Sequence, residues 1–361
     1  MAKKIVLTGG GTAGHCYPNL ALVPLLRESG YDITYLGSYD GIERSLVEAY
    51  GGISYFGIAT GKLRRYFDLK NFTDPFRVIK GFIEARHILK VVSPDMVFSK
   101  GGFVAVPVVK AAASLGIPVV IHESDMTPGL ANKLSYSSAC RICCSFRNTV
   151  SMLPEGKGIF TGSPIRASLL EGDAARARQF LGMRGGDYPF LMVIGGSQGA
   201  QHVNEAIRAA LPELVRRFNV IHLCGRGKTD PSLNRMDGYM QYEYISEELA
   251  DLYALADIVV SRAGSNAIFE LLALHKPNLL IPLGTGGSRG DQILNAEDFA
   301  KNGYSKVLPE EDMNTDSLLS AINEVYENRQ SYADAMSRAS ENNAVSNIVN
   351  VIKDICEKED N

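Results

Sequence analysis

The sequence alternates between short strand-like runs and longer helical stretches along almost its whole length. Residues 4–8 near the start and 257–261 in the second half are short, apolar and rich in β-branched residues. Such runs are typical of parallel strands that are buried on both faces of a sheet. A glycine-containing turn and a helical pattern follow each of them. This alternation predicts an α/β chain built from doubly wound parallel sheets.

The glycine turn after the first strand recurs in the second half, which indicates two similar domains. Glycines follow the first strand at 9–14 and follow the strand-like run that begins at Phe190 at 195–199. A chain of 361 residues is also longer than one hydrophobic core usually supports. We predict an N-terminal domain over residues 1–163 and a C-terminal domain over 164–343. A last helix over about 344–361 can pack back on the first domain.

Composition excludes several classes of protein. The net charge of −3 gives no reason to expect a nucleic-acid partner. Cys140, Cys143 and Cys144 form the only cysteine cluster, and they lie in an apolar run without a second ligand pair. This favours buried, reduced thiols of a cytosolic protein over a zinc site. The first residues lack the pattern of a signal peptide, and no apolar run approaches the roughly 20 residues of a membrane span.

The first glycine turn carries the candidate general base. Residues 9–14 have the G-x-G-x-x-G spacing of dinucleotide-binding turns. That fingerprint also requires an acidic residue at the end of the second strand, and Asp40 comes two residues too late, so nicotinamide binding is disfavoured. His15 starts the next helix and can accept a proton from a hydroxyl near neutral pH. The alternative is that His15 caps the helix or bonds the backbone.

The second half carries a candidate phosphate and ribose site. Ser265 or Asn266 can cap the helix after the strand at 257–261, and a helix N-terminus attracts phosphate. Glu270, one turn further on, can accept hydrogen bonds from two ribose hydroxyls. Gln292 follows another glycine-rich loop. The alternative is that Glu270 and Gln292 are solvated helix residues and that the glycines only turn the chain.

Two further residues fit a diphosphate held between the domains. The Ser197 hydroxyl lies in the turn at 195–199, and Arg166 adds a positive charge near the domain junction. The chain contains no Asp-x-Asp pair. Backbone amides and helix dipoles, rather than a metal ion, would then hold the diphosphate.

Six motifs together identify a family resemblance. They are GGGTAGHCYP, SKGGFVAVPV, HESDMTPGLANK, GGSQGA, SRAGSNAIFE and SRGDQILNA, and the resemblance as a whole runs from about residue 4 to about residue 350. In this order they resemble the MurG family, the UDP-N-acetylglucosamine transferases of glycosyltransferase family 28. The resemblance implies a GT-B fold, in which two Rossmann-like domains face a cleft. It also implies inverting transfer of N-acetylglucosamine (GlcNAc) from UDP-GlcNAc to the 4-hydroxyl of N-acetylmuramic acid (MurNAc) in lipid I, giving lipid II for peptidoglycan, with no cofactor or essential metal.

The resemblance also assigns roles to individual residues. His15 becomes the candidate base, and Glu270 takes the ribose hydroxyls. Ile245 meets the uracil through its backbone. The remaining donor contacts come from Thr12, Ala13, Gly14, Arg166, Ser197, Ser265, Asn266 and Gln292.

Three positions depart from the family pattern. Ala13 stands where glycine is frequent, and Phe103 stands where some members have tyrosine. Asp125 stands where many members have the asparagine of HEQN. An aspartate accepts but does not donate hydrogen bonds when ionised, and it can serve as a general base. Asp125 is therefore a rival to His15.

A polyprenyl-linked acceptor implies a peripheral protein on the cytoplasmic face of the bacterial membrane, with other cell-wall synthesis proteins as candidate partners. Residues 61–90 hold eight basic and three acidic side chains, interleaved with aromatic rings. This pattern favours contact with an anionic membrane surface. The alternative is that the apolar stripe of Phe76, Ile79 and Ile83 faces its own sheet.

Two other functions stay open at this point. A UDP-GlcNAc 2-epimerase shares the architecture and needs no lipid acceptor. A non-catalytic nucleotide-sugar-binding scaffold would need neither His15 nor Asp125.

Overall fold

The computed structural model describes residues 3–61, 70–182, 188–196, 199–284, 290–339 and 343–359, with side chains at 70–75 and 358–359 left out. Contacts divide the chain into two compact units. The first comprises Met1–Arg166 with Asn343–Asn361, and the second comprises Ala167–Asn342. Arg166 is therefore grouped with the first unit.

The first unit is built on a seven-stranded parallel sheet with the order β3-β2-β1-β4-β5-β6-β7. Its strands are β1 (Lys3–Thr8), β2 (Tyr31–Ser38), β3 (Ser54–Ile58), β4 (Met96–Ser99), β5 (Val119–Glu123), β6 (Arg141–Cys144) and β7 (Gly158–Phe160). Its helices up to this point are α1 (Ala13–Glu28), α2 (Ile42–Tyr50), α3 (Lys70–Val92), α4 (Ala105–Ser114) and α5 (Leu130–Ser135). The strand order reverses between β1 and β4. Ligands of open α/β sheets bind at such a point, beyond the carboxyl ends of the strands.

The second unit is built on a six-stranded parallel sheet with the order β10-β9-β8-β11-β12-β13. Its strands are β8 (Phe190–Ile194), β9 (Asn219–Leu223), β10 (Tyr239–Tyr242), β11 (Ile258–Ser261), β12 (Asn278–Leu280) and β13 (Lys306–Val307). Its helices are α6 (Ala174–Phe180), α7 (Gln201–Leu214), α8 (Leu249–Leu255), α9 (Ser265–Ala273), α10 (Asp291–Lys301), α11 (Thr315–Glu327) and α12 (Arg329–Ser337). The order reverses between β8 and β11. The predicted fold class, with two doubly wound parallel sheets, is confirmed.

The last helix, α13 (Ala344–Glu359), belongs to the first unit. Ile348, Val349 and Ile352 are fully buried in the same apolar cluster as Leu22 of α1. The Asn347 side chain donates a hydrogen bond to the Thr161 carbonyl, 3.2 Å away. A helix buried on one side and tied to the end of β7 covers one face of the first sheet.

Both faces of the first sheet are covered, which explains why its strands read as continuous apolar runs. Along β1, Ile5 and Leu7 belong to the cluster on the α1 side. Val6 belongs to the cluster on the α3 and α4 side. The alternation follows from the two-residue period of a strand.

The cysteine cluster follows the same alternation. Cys143 and Cys144 are neighbours in β6 and are buried in clusters on opposite faces of the sheet. Cys140 donates to the Val119 carbonyl, 3.0 Å away. Thiols on opposite faces of a strand cannot bind one metal ion together, and within the described ranges no three His, Cys, Asp or Glu side chains form a metal-binding group.

Helix α3 has two apolar sides, and only one of them faces the sheet. Gly81, Ala85 and Leu89 are buried, and a Cβ atom at position 81 would lie 2.0 Å from the Ala59 carbonyl oxygen. On the other side, Phe76, Ile79 and Ile83 are 73%, 58% and 62% exposed. The alternative that this stripe faces its own sheet is therefore wrong. No helix among the described residues is long and apolar enough to cross a membrane.

Candidate functional site

Three loops of the first unit lie at one edge of its sheet. They follow β1, β4 and β5, which are neighbours and run parallel. The loop after β1 leads into Thr12, and α1 then begins with Ala13, Gly14 and His15. Asp125 lies two residues after β5. The fold thus brings the first-domain candidates to the edge where ligands of such sheets bind.

A buried carboxylate shapes the loop after β1. Glu43 of α2 is fully buried and accepts hydrogen bonds from the backbone N–H groups of Gly11 and Ser38, each at 3.0 Å. It also accepts from the Ser38 hydroxyl at 2.5 Å. A Cβ atom at Gly10 would lie 2.5 Å from the Glu43 carboxyl carbon, so a side chain at position 10 would displace the carboxylate. No local sequence pattern indicates Glu43 as a site residue, because it lies 32 residues from Gly11, to which it is hydrogen-bonded.

Buried hydrogen bonds from α1 and β2 fix the start of the loop after β1. The Asn19 amide donates to the Thr8 carbonyl and to the Tyr35 hydroxyl, each at 3.1 Å. The Tyr35 hydroxyl donates to the Gly9 carbonyl at 2.7 Å. All of these groups are buried, where a satisfied hydrogen bond strongly restricts geometry. The glycine turn is therefore a rigid platform for the residues that follow it.

The His15 ring lies against the loop after β4. A Cβ atom at Gly102 would be 2.9 Å from the ring carbon Cδ2, and Gly102 has φ +80°, which suits glycine. Burial and, to a smaller extent, the charge of Lys100 lower the pKa of His15 to about 4, against opposing effects of Glu43 and the Lys100 carbonyl. The imidazole is therefore neutral at pH 7. Its Nδ1 atom has no hydrogen-bond partner in the described part of the chain.

A buried lysine lies between the candidates of the first unit. Lys100 is 1% exposed, and its Nζ is 2.8 Å from Nδ1 of His122 and donates to the Ser124 hydroxyl. His122 Nε2 is 2.9 Å from the Gly162 carbonyl oxygen, which only accepts, so Nε2 carries the proton and Nδ1 accepts from the lysine. Burial lowers the pKa of Lys100 to about 8, although Glu123 and Asp125 oppose the shift.

The loop that carries Asp125 is held by Glu123. The Glu123 carboxylate accepts from the N–H groups of Ser124 and Gly129 and from the Asn132 amide, at 3.1, 2.9 and 2.9 Å. Burial raises the pKa of Glu123, and the negative charge of Asp125 adds to this. Asp125 itself is half-buried. Its side chain therefore lies in an ordered loop, near enough to Lys100 and Glu123 to affect both.

Arg166 lies beside α1. Its guanidinium carbon is 3.9 Å from the centre of the Tyr17 ring, a close cation–π contact. Tyr17 comes two residues after His15. The structure thus brings Arg166 to the helix whose first turn carries Thr12 to His15.

Four of the predicted donor residues lie at the carboxyl edge of the second sheet. Ser265 is the first residue of α9, which follows β11, and Asn266 and Glu270 lie on the same helix. Ile245 is 6% exposed and follows β10. Ser197, in the loop after β8, lies outside the described residues.

Gln292, on α10, holds the loop after β12. Its side-chain oxygen accepts from the Leu283 N–H at 3.0 Å. Asn295, one turn further along α10, is fully buried and donates to the Ala263 carbonyl at 3.2 Å. Gln292 and Asn295 therefore connect α10 to the loops after β12 and β11. Gln292 thus has a structural contact in the protein, and its role in binding the donor stays a prediction.

An ion pair that was not predicted from the sequence stabilises the carboxyl edge of the second sheet. The Arg262 guanidinium is 2.7 Å from the Glu310 carboxylate and also donates to the carbonyls of Ile281 and Pro282. His202 Nδ1 lies 3.1 Å from the same carboxylate. Burial alone would raise the pKa of Glu310, but Arg262, the Gly284 N–H and His202 together lower it. Arg262 lies in the SRAGSNAIFE motif, although nothing in the sequence indicates a partner 48 residues away.

A buried histidine in β9 forms a complete hydrogen-bond chain. The Tyr239 hydroxyl lies 3.0 Å from His222 Nδ1, and His222 Nε2 lies 3.0 Å from the Asn204 side-chain oxygen. The Asn204 amide donates to the Cys224 carbonyl at 2.8 Å. Burial, with the charge of Arg208, lowers the pKa of His222 to about 3. The network fixes the end of β9, with the neutral His222 donating to Asn204 through Nε2 and accepting from Tyr239 at Nδ1.

We expect acid to destabilise the protein through this histidine. Between pH 6.5 and about 3 the unfolded chain binds a proton at position 222 that the folded chain does not, so the free energy of unfolding falls as pH falls. The loss is about 1.4 kcal/mol per pH unit, or about 2 kcal/mol between pH 6.5 and 5. Urea unfolding followed by circular dichroism at several pH values measures the slope. His222→Gln should flatten this slope, whereas His87→Gln, at an exposed position, should not. An equal slope in His222→Gln and the wild type would contradict the assignment.

Comparisons with known proteins define first the class and then the family. The crystal structure of MurG from Acinetobacter baumannii superposes with a TM-score of 0.75 at 26% identity, covering 98% of this chain and 99% of that one. The fold is therefore GT-B. Residues 5–144 match the glycosyltransferase family 28 N-terminal domain, and residues 190–352 match the glycosyltransferase family 28 C-terminal domain. The chain belongs to glycosyltransferase family 28.

Two further proteins are similar to this chain over nearly its full length. A protein of Lachnospira eligens, named UDP-N-acetylglucosamine–N-acetylmuramyl-(pentapeptide) pyrophosphoryl-undecaprenol N-acetylglucosamine transferase, is 57% identical over 98% of this chain and 99% of its own. The UDP-GlcNAc 2-epimerase of Methanocaldococcus jannaschii has a TM-score of 0.69 at 14% identity, covering 98% of this chain and 99% of that chain. That second likeness shows the fold alone.

Proposed function

We propose that the protein transfers GlcNAc from UDP-GlcNAc to the 4-hydroxyl of MurNAc in undecaprenyl-diphospho-MurNAc-pentapeptide, lipid I. The product is lipid II, the precursor of peptidoglycan, and the anomeric carbon is inverted. The observation that carries this proposal is the 57% identity to a transferase of that name over almost the whole of both chains. The epimerase alternative is supported only by a fold that many enzymes share.

The donor is assigned to the carboxyl edge of the second sheet. Ser265 and Asn266 begin α9, where the N-terminal N–H groups and the helix dipole favour the diphosphate. A Cβ atom at Gly264 would meet no atom within 4 Å, so the backbone there is open to a ligand. Glu270 accepts the ribose hydroxyls, and Ile245 offers its backbone to the uracil. Ser197, Gln292 and Arg166 complete the proposed set, with Thr12, Ala13 and Gly14 against the sugar and its phosphates.

The chemical step needs a base and a stabilised leaving group. The base takes the proton of the MurNAc 4-hydroxyl, whose oxygen attacks the anomeric carbon of GlcNAc as the bond to UDP breaks. UDP leaves with the bonding electrons, and its charge is stabilised by the N–H groups of α9. His15 is neutral at pH 7 and is competent to accept the proton. Asp125, at the same sheet edge, is the rival base.

Release of UDP tests the proposal. Incubation with UDP-GlcNAc should give UDP only when lipid I is present. Release without lipid I, accompanied by N-acetylmannosamine, would favour the epimerase. UDP-GlcNAc binding without turnover under either condition would favour a scaffold.

We further propose that α3 contacts the cytoplasmic face of the bacterial membrane. Phe76, Ile79 and Ile83 form a stripe on the helix that is exposed in the monomer, and the exposed Lys80 lies within it. Exposed apolar side chains beside basic ones suit an interface with anionic lipid. Arg64 and Arg65, which the sequence analysis placed in the same segment, lie outside the described residues. Contact with other cell-wall synthesis proteins stays a prediction.

Replacing the stripe should release the protein from vesicles. Phe76→Ser, Ile79→Ser and Ile83→Ser together should weaken binding to phosphatidylglycerol-containing vesicles at least 100-fold. A 100-fold loss corresponds to about 2.8 kcal/mol in all, and each ring or branched chain contributes about 1.5–3 kcal/mol when fully buried. Sedimentation with vesicles measures this. Leu170→Ser, at a 54% exposed residue of the second unit, is the control. Binding of the triple variant that equals the wild type would place the membrane face elsewhere.

A further inference from the structure

We propose that Lys100 is a further positioning residue for the proposed transfer, because it fixes both the loop that carries Asp125 and the loop that packs against His15. The catalytic part of this inference rests on the proposed function. Lys100 follows the last residue of β4, between β1, which precedes His15, and β5, which precedes Asp125. It is among the largest fully buried side chains. Lysine is seldom buried unless its charge is used or paired.

On the β5 side, the ammonium group fixes the loop of Asp125. It donates to His122 Nδ1 at 2.8 Å and to the hydroxyl of Ser124, the residue before Asp125. Because His122 Nε2 is committed to the Gly162 carbonyl, Nδ1 needs a donor, and Lys100 supplies it. A neutral side chain without N–H groups would leave the buried Nδ1 of His122 without that donor.

On the β1 side, the Lys100 backbone fixes the loop that packs against the His15 ring. The Lys100 N–H donates to the Thr8 carbonyl at 2.9 Å, which ties the end of β4 to the end of β1. The Lys100 carbonyl lies close enough to the His15 ring to oppose the lowering of its pKa. The next two residues, Gly101 and Gly102, have φ of +90° and +80° and turn the chain along the imidazole. A Cβ atom at Gly102 would lie 2.4 Å from the Gly10 carbonyl oxygen, so the two loops are in close contact.

The charge of Lys100 acts on both candidates as well. The groups that interact with it electrostatically are His15 on α1, His122 and Glu123 on β5, Asp125 in the following loop, and Cys143 on β6. Burial raises the pKa of Cys143 to about 12, so that thiol is neutral. Glu43 faces His15 from α2 and opposes Lys100 there. A positive Lys100 therefore disfavours protonation of His15 and attracts the Asp125 carboxylate.

Two substitutions separate the charge from the hydrogen bonds. Lys100→Gln removes the charge and keeps an N–H donor, whereas Lys100→Met removes both. Lys110→Met, on α4, is the matched control, since the Lys110 ammonium group donates to the Ser137 hydroxyl, 3.1 Å away, and not to a group of the candidate site. The titration of His15 is followed by NMR on histidine-labelled protein, together with kcat as a function of pH and the affinity for UDP.

We expect the midpoint of the His15 titration to rise by about one pH unit in both Lys100 variants, because a nearby like charge is lost. The acidic limb of the plot of kcat against pH should shift upward by the same amount. We also expect kcat at pH 7 to fall about 10-fold in Lys100→Met, with UDP affinity unchanged and Lys110→Met like the wild type. A folded Lys100 variant with the wild-type His15 midpoint and wild-type kcat would overturn the inference.

Two controls keep the result interpretable. If Lys100→Met does not fold, the His15 titration and kcat of Lys100→Gln decide whether Lys100 positions the site. In the wild type, the Lys100 ammonium group should titrate with a midpoint near 8, and a midpoint near 10.5 would contradict the burial on which the inference depends. If the wild type showed no lipid I-dependent release of UDP, the proposed function would fail. The NMR titration would still decide whether Lys100 acts on His15.

Discussion

Replacing His15 by alanine is expected to lower kcat about 10²–10⁴-fold, the contribution of a positioned general base. The KM for UDP-GlcNAc should change far less, because most of the proposed donor contacts lie in the second unit. His15 is neutral at pH 7, and a buried Glu43 and two glycine loops fix its surroundings. A loss confined to kcat is the mark of an interaction made in the transition state. Steady-state kinetics with lipid I or a soluble analogue measures it.

Asp125→Asn belongs in the same series, because it removes the rival base and keeps the shape of the side chain. If His15 is the base, the asparagine variant should retain most of its turnover and show the same acidic limb in its pH profile. A larger loss of kcat in Asp125→Asn than in His15→Ala would move the base to Asp125. Circular dichroism of both variants excludes unfolding as the cause.

Replacing Glu270 by alanine is expected to weaken UDP binding by about one to two orders of magnitude. The reason is the loss of a charged hydrogen bond to the ribose, worth roughly 1.5–3 kcal/mol. Isothermal titration calorimetry with UDP and with 2′-deoxy-UDP tests both the size and the cause. The wild type should prefer UDP, whereas Glu270→Ala should bind the two ligands alike.

Glu297→Ala is the matched control for this measurement. Glu297 is an exposed glutamate on α10 of the same unit, and its loss should leave the affinity for UDP unchanged. Wild-type UDP affinity in Glu270→Ala would remove Glu270 from the donor site. A Glu270→Ala variant that still prefers UDP to 2′-deoxy-UDP would assign the ribose contact to another residue.

Local patterns were sufficient to predict the architecture. Apolar runs such as 4–8 and 257–261 and the glycine turns after them are short-range features, and the structure has β1 and β11 at those positions. The same reasoning located Ser265 and Glu270 on the helix after β11. The parallel order of the strands then follows from the helical connections between them.

Side-chain partners distant in sequence could not be predicted. Glu43 reaches Gly11 over 32 residues, and Arg262 reaches Glu310 over 48. Such pairs depend on which helix packs on which face of the sheet, and no local pattern encodes this. The same limit explains α3. Periodicity identifies the stripe of Phe76, Ile79 and Ile83, but a second apolar side at Gly81, Ala85 and Leu89 takes the sheet contact.

The fate of the sugar tests the central claim most directly. UDP-GlcNAc radiolabelled in its GlcNAc is incubated with lipid I, and the lipid fraction is extracted and analysed by mass spectrometry and NMR. We predict that the label enters the lipid fraction as GlcNAc joined by a β-linkage to the 4-hydroxyl of MurNAc, with one UDP released for each sugar transferred. Label that stays in the aqueous fraction, as UDP-GlcNAc or N-acetylmannosamine, while a known transferase converts the same lipid I, would contradict the account.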